Sequence, residues 1–295
     1  MSKKYVVQLG LVALFVASLH AGEIQTGKGT FELTGGFIGL DQSLKADINT
    51  YSLVEQHKNI FSSNWFYKYN FTWYDSKNMV QAQNTINGYL GNNPLLPPGM
   101  PVVPSIDYRF QGLDLNVVLG RDLLHNDEQN YLGFGLLVGL STPWIDSKKD
   151  SNNNDSSSDS AMNAMKKSKT KILTYKVGIS LSASKSLNDY FSLYAKGNVA
   201  YQTGSIKNDY ANADLSVNGI FQEYDAGIKF QPFSEDYKLG WFTLSPRLYA
   251  TLGYRYSSWK MNDVNIDITG LNTQFTQTDL KMNASVGYFG LGYSF

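Results

Sequence analysis

Three glycines in segment 131–141 are the first residues whose spacing could do chemistry, because glycine-rich loops can hold a phosphate with their backbone amides. They are Gly133, Gly135 and Gly139. Their spacing is not G-x-G-x-x-G, and no helix signal follows them. The pattern fits a strand with one face of small residues, so we expect these glycines to leave room for long side chains opposite.

The stretch from Asp150 to Asp155 is the second candidate, since it places oxygen ligands at alternate positions as a calcium loop does. Such a loop needs a glycine at its sixth position and a glutamate at its twelfth. Here those positions hold Asp155 and Ala161. The surrounding serines and asparagines have little apolar surface to bury. We therefore interpret 142–170 as a solvated connection and expect no metal site.

Side chains suited to catalysis are scarce. The chain has no cysteine, which excludes disulfides, thiolate metal sites and cysteine nucleophiles. Beyond the first 21 residues it has only two histidines, His57 and His125, and 25 Lys and Arg balance 25 Asp and Glu. Balanced charge gives no reason to expect a nucleic-acid partner. We therefore predict no enzyme, no cofactor and no nucleic-acid binding.

Alternation of apolar and polar residues dominates the chain and predicts β-strands, whose side chains point to opposite faces in turn. The clearest segments are 64–75, 171–183, 190–202 and 241–257. Each has 12 residues or more, whereas a strand of a soluble protein has about 5–6. A tilted membrane strand needs about 9–11 residues for the hydrocarbon alone, so these lengths favour a transmembrane β-barrel.

Long and short connections alternate along the chain, as they do between the two ends of such a barrel. Long connections are predicted at 76–104, 142–170, 203–215 and 258–277, and short ones at 120–130, 184–189 and 231–240. The parity predicts ten strands, at 29–40, 46–56, 64–75, 105–119, 131–141, 171–183, 190–202, 216–230, 241–257 and 278–295. Eight or twelve strands also fit, because 46–56 is weakly patterned and 258–277 can hold a hairpin extension.

The N-terminus has the layout of a secretory signal peptide. Lys3 and Lys4 form its charged start, Leu9–Val16 its apolar stretch, and 17–21 the small residues for cleavage after Ala21. The apolar stretch is shorter than the ~20 residues of a spanning helix. We expect residues 1–21 to be removed and 22–295 to form an exported barrel.

The end of the chain alternates large apolar side chains with small ones. The large ones are Phe289, Leu291, Tyr293 and the terminal Phe295. This pattern resembles the final strand of bacterial outer-membrane β-barrel proteins. The resemblance implies an all-β, up-and-down antiparallel barrel that periplasmic chaperones and the barrel-assembly machinery insert among outer-membrane lipids. It indicates no subfamily. Outer-membrane proteases of ten strands place a histidine and acids at the external rim, and neither His57 nor His125 is expected there.

Charged residues on the polar faces of the strands are predicted to face the lumen. They are Glu32, Lys68, Asp107, Arg109, Lys176, Lys196, Glu223, Asp225, Lys229, Arg247 and Arg255. Eight-stranded barrels leave just enough room for side chains, and open channels have about 16–18 strands. Ten strands therefore favour an interior filled by paired charges, and a narrow polar conduit is the alternative.

Residues 93–105 hold five of the eight prolines. Proline favours extended backbone, so the segment suits a stiff loop over the barrel mouth, an adhesive tip, or a loop that resists proteases. Together these features predict a structural or surface-interaction protein that acts through external loops. A narrow porin-like channel for small polar solutes is the alternative, and an outer-membrane hydrolase is less favoured.

We expect the mature protein in the outer-membrane fraction, with Gly22 as its first residue. A closed barrel resists detergent, so unheated protein should migrate differently from heated protein in an electrophoresis gel. N-terminal sequencing and gel mobility check both points. Recovery as a soluble periplasmic protein would contradict this interpretation.

Overall fold

The computed structural model describes residues 22–37, 40–60, 63–81, 84–85, 101–103, 106–124, 130–148, 169–208, 213–233, 235–239, 242–266 and 275–293. The predicted signal peptide, the terminal Phe295, His125, the stretch 150–155 and most of the proline-rich segment 93–105 lie outside these residues. No helix in the described part of the chain is long and apolar enough to cross a membrane.

Ten long strands form the body of the molecule. They are β1 (Gly22–Phe37), β2 (Leu40–Ile60), β3 (Trp65–Gln81), β6 (Ile106–Asp122), β7 (Asn130–Lys148), β8 (Lys169–Ser186), β9 (Phe191–Asn208), β10 (Ala213–Phe230), β13 (Leu248–Ile266) and β14 (Phe275–Tyr293). Four short strands make two small hairpins within connections: β4 (Asn84–Thr85) with β5 (Pro101–Val103), and β11 (Tyr237–Leu239) with β12 (Phe242–Leu244).

The long strands pair antiparallel with their chain neighbours into one closed barrel. Closure is made between the first and last strands, from Gly22 opposite Tyr293 to Gly35 opposite Leu280. A closed sheet has no edge, so every strand can satisfy its backbone hydrogen bonds within the sheet. The prediction of an all-β, up-and-down antiparallel barrel of ten strands is confirmed, and the eight- and twelve-stranded alternatives are wrong.

Several strands extend beyond their predicted bounds. The weakly patterned 46–56 is part of β2, which has 21 residues and is the longest strand described. The predicted connections 203–215 and 258–277 are largely strand, because β9 continues to Asn208 and β13 to Ile266. Hydrogen bonding continues beyond the membrane boundary, but side chains there need not be apolar on one face. Alternation therefore marks the membrane part of a strand and not its full length.

The outer face of the wall is an apolar surface. Leu136, Val177 and Leu252 are 69%, 66% and 67% exposed, and Val138 and Ile179 also face outward. A continuous belt of exposed apolar side chains of this kind marks contact with lipid rather than water. Trp73 and Trp144 pack edge to face on the outer face toward one end of the barrel, with ring centroids 5.4 Å apart. Such aromatic residues typically sit at a membrane interface.

The two ends of the barrel differ. The end called here the terminal end carries Gly22 and Tyr293, together with the connections 61–64, 123–129, 187–190 and 231–247. The opposite end, the loop end, carries the connections 38–39, 82–105, 149–168, 209–212 and 267–274. The largest connections, 82–105 and 149–168, therefore emerge at the same end.

An arginine placed in the apolar belt should destabilise the barrel. Val177→Arg puts a charge in hydrocarbon and should lower the free energy of unfolding by about 2–4 kcal/mol. Ser205→Arg, on the outer face near the loop end, should cost only about 0–1 kcal/mol because the side chain reaches the interface. Urea unfolding in lipid vesicles measures both. Equal costs at the two positions would mean that the belt is placed incorrectly.

Candidate functional site

The barrel interior has three layers, two filled by side chains and one open. Toward the loop end lies an aromatic plug formed by Phe31, Tyr74, Phe110, Phe221 and Trp259. Below it lies a charged layer formed by Asp114, Lys176, Lys196, Glu223, Asp225 and Arg255. Toward the terminal end the interior opens into a cavity of about 570 Å³, called here the vestibule. The order of the layers follows from the strands, whose inward residues alternate with the outward lipid-facing ones.

The aromatic plug is closely packed. Phe31 and Phe110 stack with ring centroids 3.9 Å apart, and Tyr74 contacts the edge of Phe110. The ring of Trp259 lies 5.5 Å from that of Tyr74 and 5.7 Å from that of Phe221. Each of the five residues is at most 2% exposed. Rings from five different strands therefore occupy the cross-section of the barrel.

One half of the charged layer is built around Asp114. The ammonium of Lys176 lies 2.6 Å from Asp114 Oδ1, and both side chains are almost fully buried. Asn116 donates a hydrogen bond to the other carboxylate oxygen at 2.7 Å, and Ser141 donates to Asp114 as well. Ser141 in turn accepts a hydrogen bond from the indole of Trp259 at 3.1 Å. The charged layer is thereby tied to the aromatic plug.

The other half is built around Asp225. Arg255 donates to Asp225 Oδ2 through Nε at 3.0 Å and Nη2 at 2.9 Å. The remaining donors of this guanidinium reach Gln25 at 2.6 Å and Ser52 at 3.0 Å. Tyr288 donates to the second oxygen of Asp225 at 2.6 Å. A buried guanidinium needs all its donors satisfied, and the hydrogen bonds around Asp225 and Arg255 join five strands, β1, β2, β10, β13 and β14.

Lys196 completes the charged layer. Its ammonium lies 2.6 Å from Glu223 Oε1 and 4.0 Å from Asp225 Oδ2, and Asn198 donates to Glu223 at 3.1 Å. The layer as defined contains three acids and three bases, so its formal charge is zero. A neutral, hydrogen-bonded network of this kind fills space and excludes water.

A glycine makes room for this network. A side chain at Gly139 would place its Cβ 2.8 Å from Cε of Lys176 and 2.6 Å from Oδ1 of Asn116. The glycine is therefore required by the long side chain that crosses in front of it. This geometry agrees with the expectation that the glycines of 131–141 leave room for side chains opposite.

The structure places seven of the predicted lumen-facing residues on the inner side of the wall. Lys176, Lys196, Glu223, Asp225 and Arg255 meet in the charged layer. Lys68 and Lys229 lie in the vestibule, apart from the ion pairs. The side chain of Asp107 lies outside the described residues.

Arg109 and Glu32 correct the prediction, because both lie on the outer face. Arg109 forms a bidentate pair with Asp75, with its Nη2 at 2.6 Å and 2.7 Å from the two carboxylate oxygens. Glu32 accepts a hydrogen bond from Ser43 at 2.8 Å and pairs with Lys45 at 3.4 Å. Both lie near the loop-end part of their strands, where the outer wall meets water and charges are tolerated.

Arg247 is a second kind of correction. It lies in the turn at 246–247 that precedes β13, and it is exposed rather than lumen-facing. The predicted strand 241–257 was too long at its start, since Phe242–Leu244 belongs to β12 and β13 begins at Leu248. Arg247 borders a shallow groove with Glu235 and Asp236, so it lies at the terminal end outside the barrel.

Sequence reasoning missed Asp114, which is central to the network. The signal was present, because Asp114 and Asn116 alternate with the outward residues Leu113, Leu115 and Val117. The same alternation assigns Arg109 to the outer face. Applying one parity along the whole of β6 would have corrected both assignments.

His57 lies on the outer face, near the terminal end of β2. Its ring stacks on Tyr67 with centroids 4.6 Å apart, and it contacts the carboxylate of Glu55, to which Tyr69 also donates. In this cluster the polar groups of His57, Glu55 and Tyr69 contact one another beside the ring of Tyr67, and they do not form a pair of nucleophile and general base. Among the described residues no group of three or more His, Asp or Glu side chains could hold a metal.

These features define a transmembrane β-barrel of the outer-membrane type, with a closed ten-stranded wall, an apolar belt and a filled polar interior. No protein-family model matches the chain, and no curated protein does so either.

Solved structures with a similar barrel form include three bacterial proteins. The outer membrane protease OmpT of Escherichia coli has 10% identity and a TM-score of 0.47, over 94% of this chain and 98% of that one. The translocator domain of the autotransporter NalP of Neisseria meningitidis has 11% identity and a TM-score of 0.36, over 99% and 95%. Ail of Yersinia pestis has 9% identity and a TM-score of 0.27, over 92% and 99%. No residue role is transferred from them.

Breaking the buried pair should destabilise the barrel. Lys176→Met leaves Asp114 buried without its counter-ion and should lower the free energy of unfolding by about 3–5 kcal/mol. Adding Asp114→Asn removes the orphaned charge and should recover a large part of this loss. Urea titration measures both, with Lys185→Met, an exposed lysine on the outer face, as the control expected within about 0.5 kcal/mol. A single variant as stable as the control would mean that the pair is not buried.

Proposed function

We propose that this protein is an integral outer-membrane barrel that does not conduct, and that it acts as a stable base for surface loops. The observation that carries the proposal is the filled interior. The aromatic plug and the charged layer lie one above the other, and both are made of side chains almost without exposure. Solute flow would require rings from five strands and three ion pairs to move together.

The membrane assignment is supported by features that arise separately. The outward belt of apolar residues requires lipid, the first 21 residues have the layout of an export signal, and the last strand ends in alternating aromatic and apolar residues. An export signal and an apolar barrel together favour the outer membrane, where such barrels are inserted from the periplasmic side.

The loop end is the surface we assign to the exterior. Outer-membrane barrels keep short turns in the periplasm and longer loops outside, and the two largest connections, 82–105 and 149–168, emerge at this end. The first contains five prolines and the second is rich in serine and asparagine. Because these two connections differ in composition, they suit contact with an external partner better than packing against each other. The proposal assigns no catalytic step to the protein.

A narrow channel for small polar solutes is the second candidate. The vestibule favours this alternative, because it is a cavity with polar lining that reaches from the terminal end of the barrel to the charged layer. For conduction both the aromatic plug, with its Phe31–Phe110 stack, and the charged layer would have to open.

Purified protein in a planar bilayer should show no steady current, or only brief and small openings. Phe31→Ala combined with Phe110→Ala removes the stacked rings alone and should still give little current, because the charged layer continues to close the interior. Val177→Ala, a truncation of similar kind on the outer face, should leave the recording unchanged. A large, steady current from the unaltered protein would reject the closed barrel and make the channel the leading function.

An epitope inserted in 149–168 should be readable on intact cells, because this connection is assigned to the exterior. The barrel should tolerate the insertion, since the segment has almost no apolar surface to bury. The same epitope inserted at the connection 187–190 is the matched control and should be detected only after lysis. The opposite result would invert the orientation.

A further inference from the structure

We propose that the vestibule is a binding site for a small soluble anion that carries phosphate. The vestibule is enclosed by the inner side of the wall and opens at the terminal end, where Asn59, Asn130 and Gln231 line its mouth. The charged layer closes its inner end through Arg255, Lys196 and Asp225. Its volume of about 570 Å³ falls in the range of about 300–1,000 Å³ that is usual for small-molecule sites.

The described lining of the vestibule carries more positive than negative charge. Five cationic side chains line it: Lys58, Lys68, Lys196, Lys229 and Arg255. Two carboxylates line it, Glu23 and Asp225. Glu223 is not part of the lining, but it is paired with Lys196, which is. When Glu223 is counted as well, the five positive charges still outnumber three negative ones. The barrel interior is therefore neutral in its charged layer and positive in its vestibule.

Three of these five cations, Lys58, Lys68 and Lys229, form no ion pair among the described residues, and the ammonium of Lys58 lies 4.3 Å from the ring centroid of Tyr131. Lys196 and Arg255 are held by Glu223 and Asp225. The contact made by Lys229 is with the ring of Tyr249, whose centroid lies 3.8 Å from the ammonium. Lys68 is repelled by Lys196 and attracted by the carboxylates of Asp225, Glu23 and Glu223, but it lies within ion-pair distance of none of these carboxylates. An unpaired cation in an enclosed site is costly unless an anion joins it.

The nearby carboxylate Glu23 does not supply that anion. Its oxygen accepts hydrogen bonds from Gln25 at 2.8 Å and from Thr251, and it forms no ion pair with Lys68 or Lys229. Glu23 thus offsets part of the positive charge of the vestibule while both ammonium groups keep their donors free.

Two neutral groups of the vestibule are buried without a hydrogen bond of good geometry among the described residues. They are Gln56 Nε2 and the hydroxyl of Tyr131, which lie close to each other, with Ser182 also beside Tyr131, and all three residues line the vestibule. They add polar groups to a cavity that also holds the ammonium groups of Lys68 and Lys229. The other unpaired buried atoms, which lie on Asn116, Thr174, Asn198, Gln202 and Glu223, do not belong to residues of the vestibule lining.

A phosphate group matches this arrangement best. It has three strong acceptor oxygens and a charge of about −1.5 to −2 at neutral pH, which suits the ammonium groups of Lys68 and Lys229. The cavity is larger than a bare phosphate, and Tyr194, Tyr249 and Tyr288 line it, so an organic phosphate ester fits both its polar and its aromatic surfaces. This inference goes beyond the proposed surface role and does not depend on what the loops contact.

The test uses the purified mature chain in detergent micelles, titrated with sodium pyrophosphate in a calorimeter. Saturable binding is expected, and it should weaken at least about tenfold in a variant that combines Lys68→Met with Lys229→Met, because each ammonium supplies a charged hydrogen bond. Lys185→Met, which removes an exposed lysine from the outer face, should bind as the unaltered protein does. Absence of saturable heat, or equal affinity in the double variant, would overturn the proposal.

Two further measurements separate binding from misfolding and from lipid. The urea midpoint of the double variant should equal or exceed that of the unaltered protein, because it removes unpaired cations, and a lower midpoint would contradict their unpaired state. Binding should also persist in nanodiscs of phosphatidylcholine and be unaffected by added phosphatidylglycerol. Competition by the anionic lipid would assign the site to a headgroup and overturn the soluble ligand.

Discussion

Closure of the sheet between β1 and β14 is the constraint on which the rest of the structure depends. In lipid every backbone group must find its partner inside the protein, and a closed sheet is the way strands achieve this. Ten strands then enclose a cylinder close in width to barrels that their own side chains fill. The residues that face inward must therefore either pack against one another or leave an enclosed cavity.

This protein does both, at different heights. Near the loop end it fills the cylinder with rings, and at mid-height it uses ion pairs. The ion pairs are stable there because each charge meets its opposite and further hydrogen bonds: Asp114 meets Lys176, and Asp225 meets Arg255 and Tyr288. Near the terminal end the pairing stops. Among the described residues Lys68 and Lys229 form no ion pair, and open space takes the place of packing. The change from neutral to positive along the axis is why the vestibule resembles a binding site and the layers above it do not.

The sequence was sufficient for the architecture and insufficient for the contacts. Alternation in 171–183 and 190–202 located the lipid-facing side of the wall correctly, because lipid demands apolar residues at every second position. Alternation could not locate the ends of β2 or β13, because lipid requires apolar residues only within the membrane, whereas strand pairing continues beyond the membrane surface. It also could not show which lysines are paired. Lys176 and Lys68 have the same parity and the same chemistry in the sequence. Asp114 is within reach of Lys176 and not of Lys68, and this depends on the register of the strands around β6.

Water access along a single strand shows whether the barrel is closed above the vestibule. The chain contains no cysteine, so one introduced thiol is the only site for a polar maleimide. On β8, Ser184 lines the vestibule whereas Thr174 lies further toward the loop end and is fully buried. We expect the Ser184→Cys variant to react readily and the Thr174→Cys variant to remain unmodified in the folded barrel. Comparable rates at the two positions would show that water passes through the barrel, and would contradict an interior closed above the vestibule.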